Sequence, residues 1–158
     1  MAKFYSTKTY NTDRGLSCCF RQWRAKHSHC QLLHGYSIGV KITFGCEILD
    51  VRNWVYDFGG LKEFKKWLEE MFDHTTLIAS DDPYLEEFQK LSRMHDGKLL
   101  NLKVVEGVGC EKFAEMIYKK IDAIIKKSIY DLEALNPTVF VKSVEVFEHG
   151  ANSAIYEA

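Results

Sequence analysis

The order of hydrophobic periods predicts an α+β domain, and three observations carry that expectation. Alternating apolar and polar stretches cluster in the first third of the chain and recur near its end, whereas three- and four-residue apolar spacing dominates the middle. No G-x-G-x-x-G or P-loop motif marks a doubly wound sheet. With 158 residues, 46% hydrophobic and 13% aromatic, the chain fits one domain, 1–158, and has material for a sizeable core.

Lys3 to Tyr10 alternates loosely, and Gly15 to Trp23 resumes an apolar run after the turn signal Asn11-Thr12-Asp13-Arg14-Gly15, so both are expected to be strands. Tyr36 to Phe44 alternates cleanly, with Tyr36, Ile38, Val40, Ile42 and Phe44 on one face and His34 sharing their parity. Gly45 to Asn53 reads as a connection. The period then changes: Leu61, Phe64, Trp67, Leu68, Met71 and Phe72 make an amphipathic helix from Gly59 to about Asp73-His74. Asp82-Pro83 starts a shorter helix through Leu85, Phe88 and Leu91, stopped near Asp96-Gly97. Lys98 to Glu106 is a strand, Gly109 to Lys127 a helix with Phe113, Ile117, Ile121 and Ile124 inward, and Thr138 to Phe147 and Ser153 to Tyr156 are strands.

A formal net charge of −1, with cations and anions interspersed, gives no general attraction to phosphate backbones, so neither nucleic acid nor a membrane surface is expected as a partner. Five cysteines, two of them adjacent at Cys18 and Cys19, make no obvious disulfide framework. There is no apolar N-terminal signal segment, and no apolar run nears the roughly 20 residues that span a bilayer. The expectation is a cytoplasmic, soluble protein.

Chemistry concentrates between His27 and Tyr36, where three imidazoles, a thiol and a phenol fall within His-Ser-His-Cys-Gln-Leu-Leu-His-Gly-Tyr. A thiolate beside a histidine or a metal serves as base or nucleophile near neutral pH, and histidine is the commonest nitrogen ligand of zinc. Taken alone, Cys30 reads more readily as an inert buried thiol, and the flanking histidines reverse that reading; a lone histidine is more often structural than a ligand. Arg21, Arg24 and Lys26 just before the cluster form either a phosphate-attracting patch or an ordinary solvated loop.

Cys30-x-x-x-His34-Gly35-Tyr36 opening a strand, Asp57-Phe58 before a helix, Asp73-His74 closing it, and Val-Glu-Val-Phe-Glu148 near the end occur together in order. The ensemble resembles the 6-pyruvoyltetrahydropterin synthase and 6-carboxytetrahydropterin synthase family from about Gly15 to Tyr156. It is most similar to a bacterial 6-carboxytetrahydropterin synthase branch with Cys-Cys-Phe-Arg-Gln-Trp-Arg and a closing Glu-His-Gly-Ala-Asn-Ser-Ala-Ile-Tyr. The resemblance implies a tunnelling fold (T-fold): an antiparallel sheet with helices packed on one face, joined through its edges into an oligomeric barrel, a hexamer or another trimer-based homo-oligomer with sites at subunit interfaces.

By the same resemblance Cys30 falls on the catalytic cysteine, Asp73 and His74 on the Asp-His pair that completes a catalytic triad, and Glu148 on the carboxylate that anchors the pterin edge. Glu111 falls where the family carries Pro-Thr-x-Glu; the other reading is an acidic residue stabilised by the first turn of a helix. The family binds zinc through one early-strand histidine and both histidines of His-Gly-His. Here only His34 is retained: Tyr36 stands at the last ligand position, and either Cys19 or Phe20 at the first. Zinc held by His34 with Cys19 or His29 is therefore the expected cofactor. The implied activity is conversion of 7,8-dihydroneopterin triphosphate to 6-carboxytetrahydropterin on the way to queuosine and other 7-deazaguanines. The alternatives are 6-pyruvoyltetrahydropterin synthase, or a non-catalytic pterin- or purine-binding protein that has lost its metal.

Overall fold

In the computed structural model, which describes residues 3–131 and 136–158, the expected α+β class holds and its sheet divides in two. The first sheet has the order β1-β4-β7-β8, from β1 (Phe4–Tyr10), β4 (Gly39–Cys46), β7 (Phe140–His149) and β8 (Asn152–Glu157), every neighbouring pair antiparallel. The second has the order β3-β2-β5-β6, from β2 (Ser17–Phe20), β3 (His34–Ser37), β5 (Thr75–Ala79) and β6 (Leu102–Val105). In it β2 and β3 are antiparallel, but β2–β5 and β5–β6 run parallel.

The antiparallel sheet was expected and the small mixed sheet was not, for two reasons that lie in the chain. The stretch read as one strand from Tyr36 to Phe44 changes sheet at Ile38, whose N–H donates to Leu16 O. Before that point β3 pairs with β2; after it β4 pairs with β1 and β7. Strand β5, Thr-Thr-Leu-Ile-Ala, follows a helix directly, and all five of its residues are buried. A strand between two parallel neighbours and covered on both faces has no polar side to alternate with, so it carries no two-residue period to read.

The helices explain their own burial. In α1 (Lys62–Phe72) Phe64, Leu68 and Phe72 are buried, and in α3 (Cys110–Tyr130) Phe113, Ala114, Ile117, Ile121 and Ile125 recur at three- and four-residue spacing and are buried. Helix α3 lies across β7 and β8, α1 packs on α3 and β5, and the short α2 (Leu85–Arg93) has no fully buried residue. Phe113 joins the layers, with its ring centroid 5.1 Å from Phe20 of the mixed sheet and 5.3 Å from Phe72 of α1. The two sheets and α3 therefore meet beside the end of β2, and the chemically rich segment hangs from that end.

Candidate active site

The loop from Arg21 to Leu33 is pinned at Cys30. A 3-10 turn at His29–Gln31 is capped by Ser28, whose Oγ accepts from Cys30 N at 3.0 Å, and Cys30 O accepts from Gln22 N at 2.8 Å. The thiol of Cys30 is exposed. His34 opens β3, with Nδ1 2.7 Å from Leu32 O. A carbonyl only accepts, so Nδ1 carries a proton, and in the neutral ring the lone pair is on Nε2.

Strand register settles what faces His34. Phe20 lies directly opposite it and Cys18 opposite Tyr36, which puts Cys18, Phe20, His34 and Tyr36 on one face. Ring centroids are 5.1 Å apart for Phe20–His34, 5.5 Å for His34–Tyr36 in an edge-on contact, and 6.1 Å for Phe20–Tyr36. Gly35 sits between them because a Cβ there would come within 2.8 Å of Cys18 O on the facing strand.

Beneath this face lie Cys110, the first residue of α3, and Glu148 of β7. Glu148 is half-buried and hydrogen-bonds Cys110, whose thiol is pushed up to about 12 by burial and then by the charge of Glu148. Cys18 is likewise held at about 12 by burial. Desolvation raises the Tyr36 phenol above its ordinary range, with further contributions from Glu148, Cys30 and Cys110. Tyr36 thus packs edge-on against His34 and lies within the field of Glu148, Cys30 and Cys110. Glu111, exposed in the first turn of α3, adds to the field that raises Cys110.

Asp73 and His74 are a real pair at another place. Asp73 Oδ1 lies 2.7 Å from His74 Nδ1, His74 has φ +53°, and its N–H donates to Ser17 O at 2.6 Å. That anchor is at the start of β2, whereas Cys30 is tied to Gln22, beyond its end. Five residues at ~3.3 Å each separate the two anchors by roughly 16 Å. The backbone anchors of Cys30 and of Asp73-His74 therefore lie at opposite ends of β2.

The expected zinc ligands do not assemble. Cys19, paired with Gly35, points to the opposite face from His34 and contacts Thr76 Oγ1 at 3.2 Å, because neighbouring strand residues alternate. Phe20, with no donor atom, takes the place opposite His34. His29 is exposed in the turn, and no group of three His, Cys, Asp or Glu side chains suited to a metal occurs among the described residues. His149, whose ring is 6.3 Å from that of Tyr36, has Nδ1 accepting from Ala151 N and Nε2 facing the Asn152 amide. The residues present do not fit a three-ligand zinc centre.

The basic patch is also changed. Arg21 donates to both carboxylate oxygens of Asp82, at 2.8 and 3.3 Å, and Arg24 pairs with Asp81 at 2.7 Å while lying over Trp23. Asp57, in the Asp-Phe motif, caps the turn before α1 by accepting from Gly59 N and Arg52. A cavity of about 510 Å³ lined by Tyr5, Ser6, Trp54 and Tyr56 lies next to Asp57, away from the Cys30 cluster. Cys110 was missed as a site residue; its only sequence signal is its place at the helix start, where the family motif is broken.

An antiparallel sheet backed by helices, with Cys30, Tyr36 and Glu148 near the junction of two sheets, frames the candidate site. The chain belongs to the 6-pyruvoyl tetrahydropterin synthase family, which matches residues 10–158. A 6-carboxy-5,6,7,8-tetrahydropterin synthase of Aquifex aeolicus is 27% identical over 128 residues, 81% of this chain and 75% of that protein. The same-named protein of Rickettsia conorii is 39% identical over 54 residues, 34% of this chain and only 39% of the relative's length. Among solved structures, an uncharacterized protein from Wolinella succinogenes superposes with TM-score 0.77 at 20% identity, covering 99% of both chains. A catalytic-residue mutant of Plasmodium vivax 6-pyruvoyltetrahydropterin synthase superposes with TM-score 0.66 at 13% identity, over 100% of this chain and 99% of that one. At these identities the structural matches establish the T-fold alone. No helix among the described residues is long and apolar enough to cross a membrane.

Proposed function

We propose that the protein is a tetrahydropterin-synthase-type lyase that acts on 7,8-dihydroneopterin triphosphate to give 6-carboxytetrahydropterin, a step towards queuosine and related 7-deazaguanines. The observation that carries this reading is the Cys30–Tyr36–Glu148 grouping. An inward carboxylate suits the paired N–H donors of a pteridine edge, and an exposed thiol stands at the rim where the pterin side chain would lie. Cys30, as thiolate, takes a proton from a side-chain carbon, and an Asp73-held His74 returns protons as the second acid and base. The anchoring of Cys30 and of Asp73-His74 at opposite ends of β2 supports a site completed by Asp73 and His74 of a second copy, in a homo-oligomer of the trimer-based kind. A cytoplasmic setting suits the free thiol.

Incubation with the triphosphate substrate is expected to release triphosphate and give a product of the 6-carboxy mass, while Cys30→Ala is inactive. Full activity of Cys30→Ala refutes the role of the thiol, and a product that keeps the side-chain carbons assigns 6-pyruvoyltetrahydropterin synthase activity instead. A second reading, a pterin-binding protein without turnover, is favoured by two observations: Phe20 and Tyr36 stand where ligands would, and Arg21 and Arg24 are neutralised by Asp82 and Asp81. Pterin affinity with no triphosphate release under any divalent metal selects it.

A further inference from the structure

Three side chains on the common face of β2 and β3, those of Phe20, His34 and Tyr36, form a triangle with centroid distances of 5.1, 5.5 and 6.1 Å. Three imidazoles in these positions would converge; this chain has one. Phe20 offers no lone pair, a neutral phenol is a poor zinc ligand, Cys19 is on the other face, and both ring nitrogens of His149 are engaged with Ala151 and Asn152. The remaining imidazole is nonetheless carefully oriented, since its bond from Nδ1 to Leu32 O leaves the Nε2 lone pair free beside the edge-on Tyr36 ring.

We propose that this pocket binds its ligand without a resident transition metal, a side-chain hydroxyl of the ligand accepting a hydrogen bond from the Tyr36 O–H and donating one to His34 Nε2. The proposal rests on the pterin reading for the identity of the ligand and on the donor geometry for the lack of a metal. A neutral hydroxyl needs one donor and one acceptor, and Tyr36 and His34 supply one of each on the same strand face. Phe20, backed by Phe113, gives the pair an apolar wall that strengthens such bonds by excluding water. Tyr36 and His34 are then the residues that select a hydroxylated side chain, and Lewis-acid polarisation is no part of binding.

The test joins metal analysis of the whole protein, purified without chelator and then dialysed against zinc, with neopterin binding followed by fluorescence. Expected are metal well below one per chain and neopterin affinity unchanged by EDTA. Tyr36→Phe is expected to weaken neopterin roughly tenfold, the loss of one hydrogen bond, but to leave affinity for pterin lacking the side chain unaltered. The double variant Phe20→His with Tyr36→His is expected to take up about one Co(II) per chain with the intense visible bands of a tetrahedral site. Stoichiometric zinc in the unaltered protein that His34→Ala removes overturns the proposal, whether or not the double variant folds. If neither pterin nor neopterin binds while the protein stays metal-free, the pterin reading fails and the hydroxyl contact to Tyr36 and His34 is overturned with it.

Discussion

His74 allows a sharp test because its backbone and its side chain make opposite demands. Its φ of +53° lies in the left-handed region, and the bond from its N–H to Ser17 O of β2, at 2.6 Å, fixes that conformation at the junction of α1 and β5. The side chain is 87% exposed, so truncation removes little packing. A Cβ in the left-handed region costs about 1–2 kcal/mol, against which glycine loses about 0.5–1 kcal/mol more chain entropy on folding. His74→Gly should therefore be more stable than His74→Ala by about 0.5–1 kcal/mol, the reverse of the usual order for these residues. Urea unfolding of the two variants measures the difference, and both should fail to release triphosphate because both lack the imidazole. If His74→Ala is as stable as His74→Gly or more so, the strain does not exist. If either variant keeps wild-type turnover, His74 has no part in proton transfer.

Three other outcomes are expected. Asp82 has only 1% of its side chain exposed, so Arg21→Met, which leaves its carboxylate buried without the ion pair, should cost about 3 kcal/mol in denaturant unfolding; unchanged stability with a raised KM would restore Arg21 to substrate binding. In native protein at pH 8, Cys30 should react first with a thiol reagent. Cys18 and Cys110, both buried and with thiols pushed up to about 12, should label only when the protein is unfolded; early labelling of Cys110 in native protein at pH 8 would contradict the packing around Glu148. Gly35→Ala drives a methyl to 2.8 Å from Cys18 O and should cost about 1–3 kcal/mol and weaken neopterin, as read by thermal unfolding and fluorescence; a silent substitution would deny the close approach of β2 and β3.

The parts of the fold legible in the sequence were those with one wet face. Helices α1 and α3 and strands β1, β4 and β7 show their period because each has a side turned to solvent or to a partly exposed layer. Strand β5 was illegible because it has no wet side, and the break between β3 and β4 was hidden because alternation runs unbroken through Ile38 while the pairing partner changes. Among the candidate site residues, Cys30, His34 and Glu148 are singled out by residue type and motif alone. The choice between Cys19 and Phe20 could not, since it depends on strand register, and a shift of one residue reverses every facing side chain. The neutralisation of Arg21 and Arg24 was equally out of reach, because Asp81 and Asp82 lie some sixty positions away in the chain and meet them only through the parallel pairing of β2 with β5.

The central claim is a dihydropterin lyase site shared between copies, with Cys30 from one and Asp73-His74 from another. Refolding Cys30→Ala and His74→Ala together and measuring triphosphate release from 7,8-dihydroneopterin triphosphate tests it most directly. Each variant alone should be inactive, and an equal mixture should regain about a quarter of wild-type turnover, the share of interfaces that pair two intact halves at random. A mixture that stays inactive, with both variants folded and the wild type active, would contradict the account.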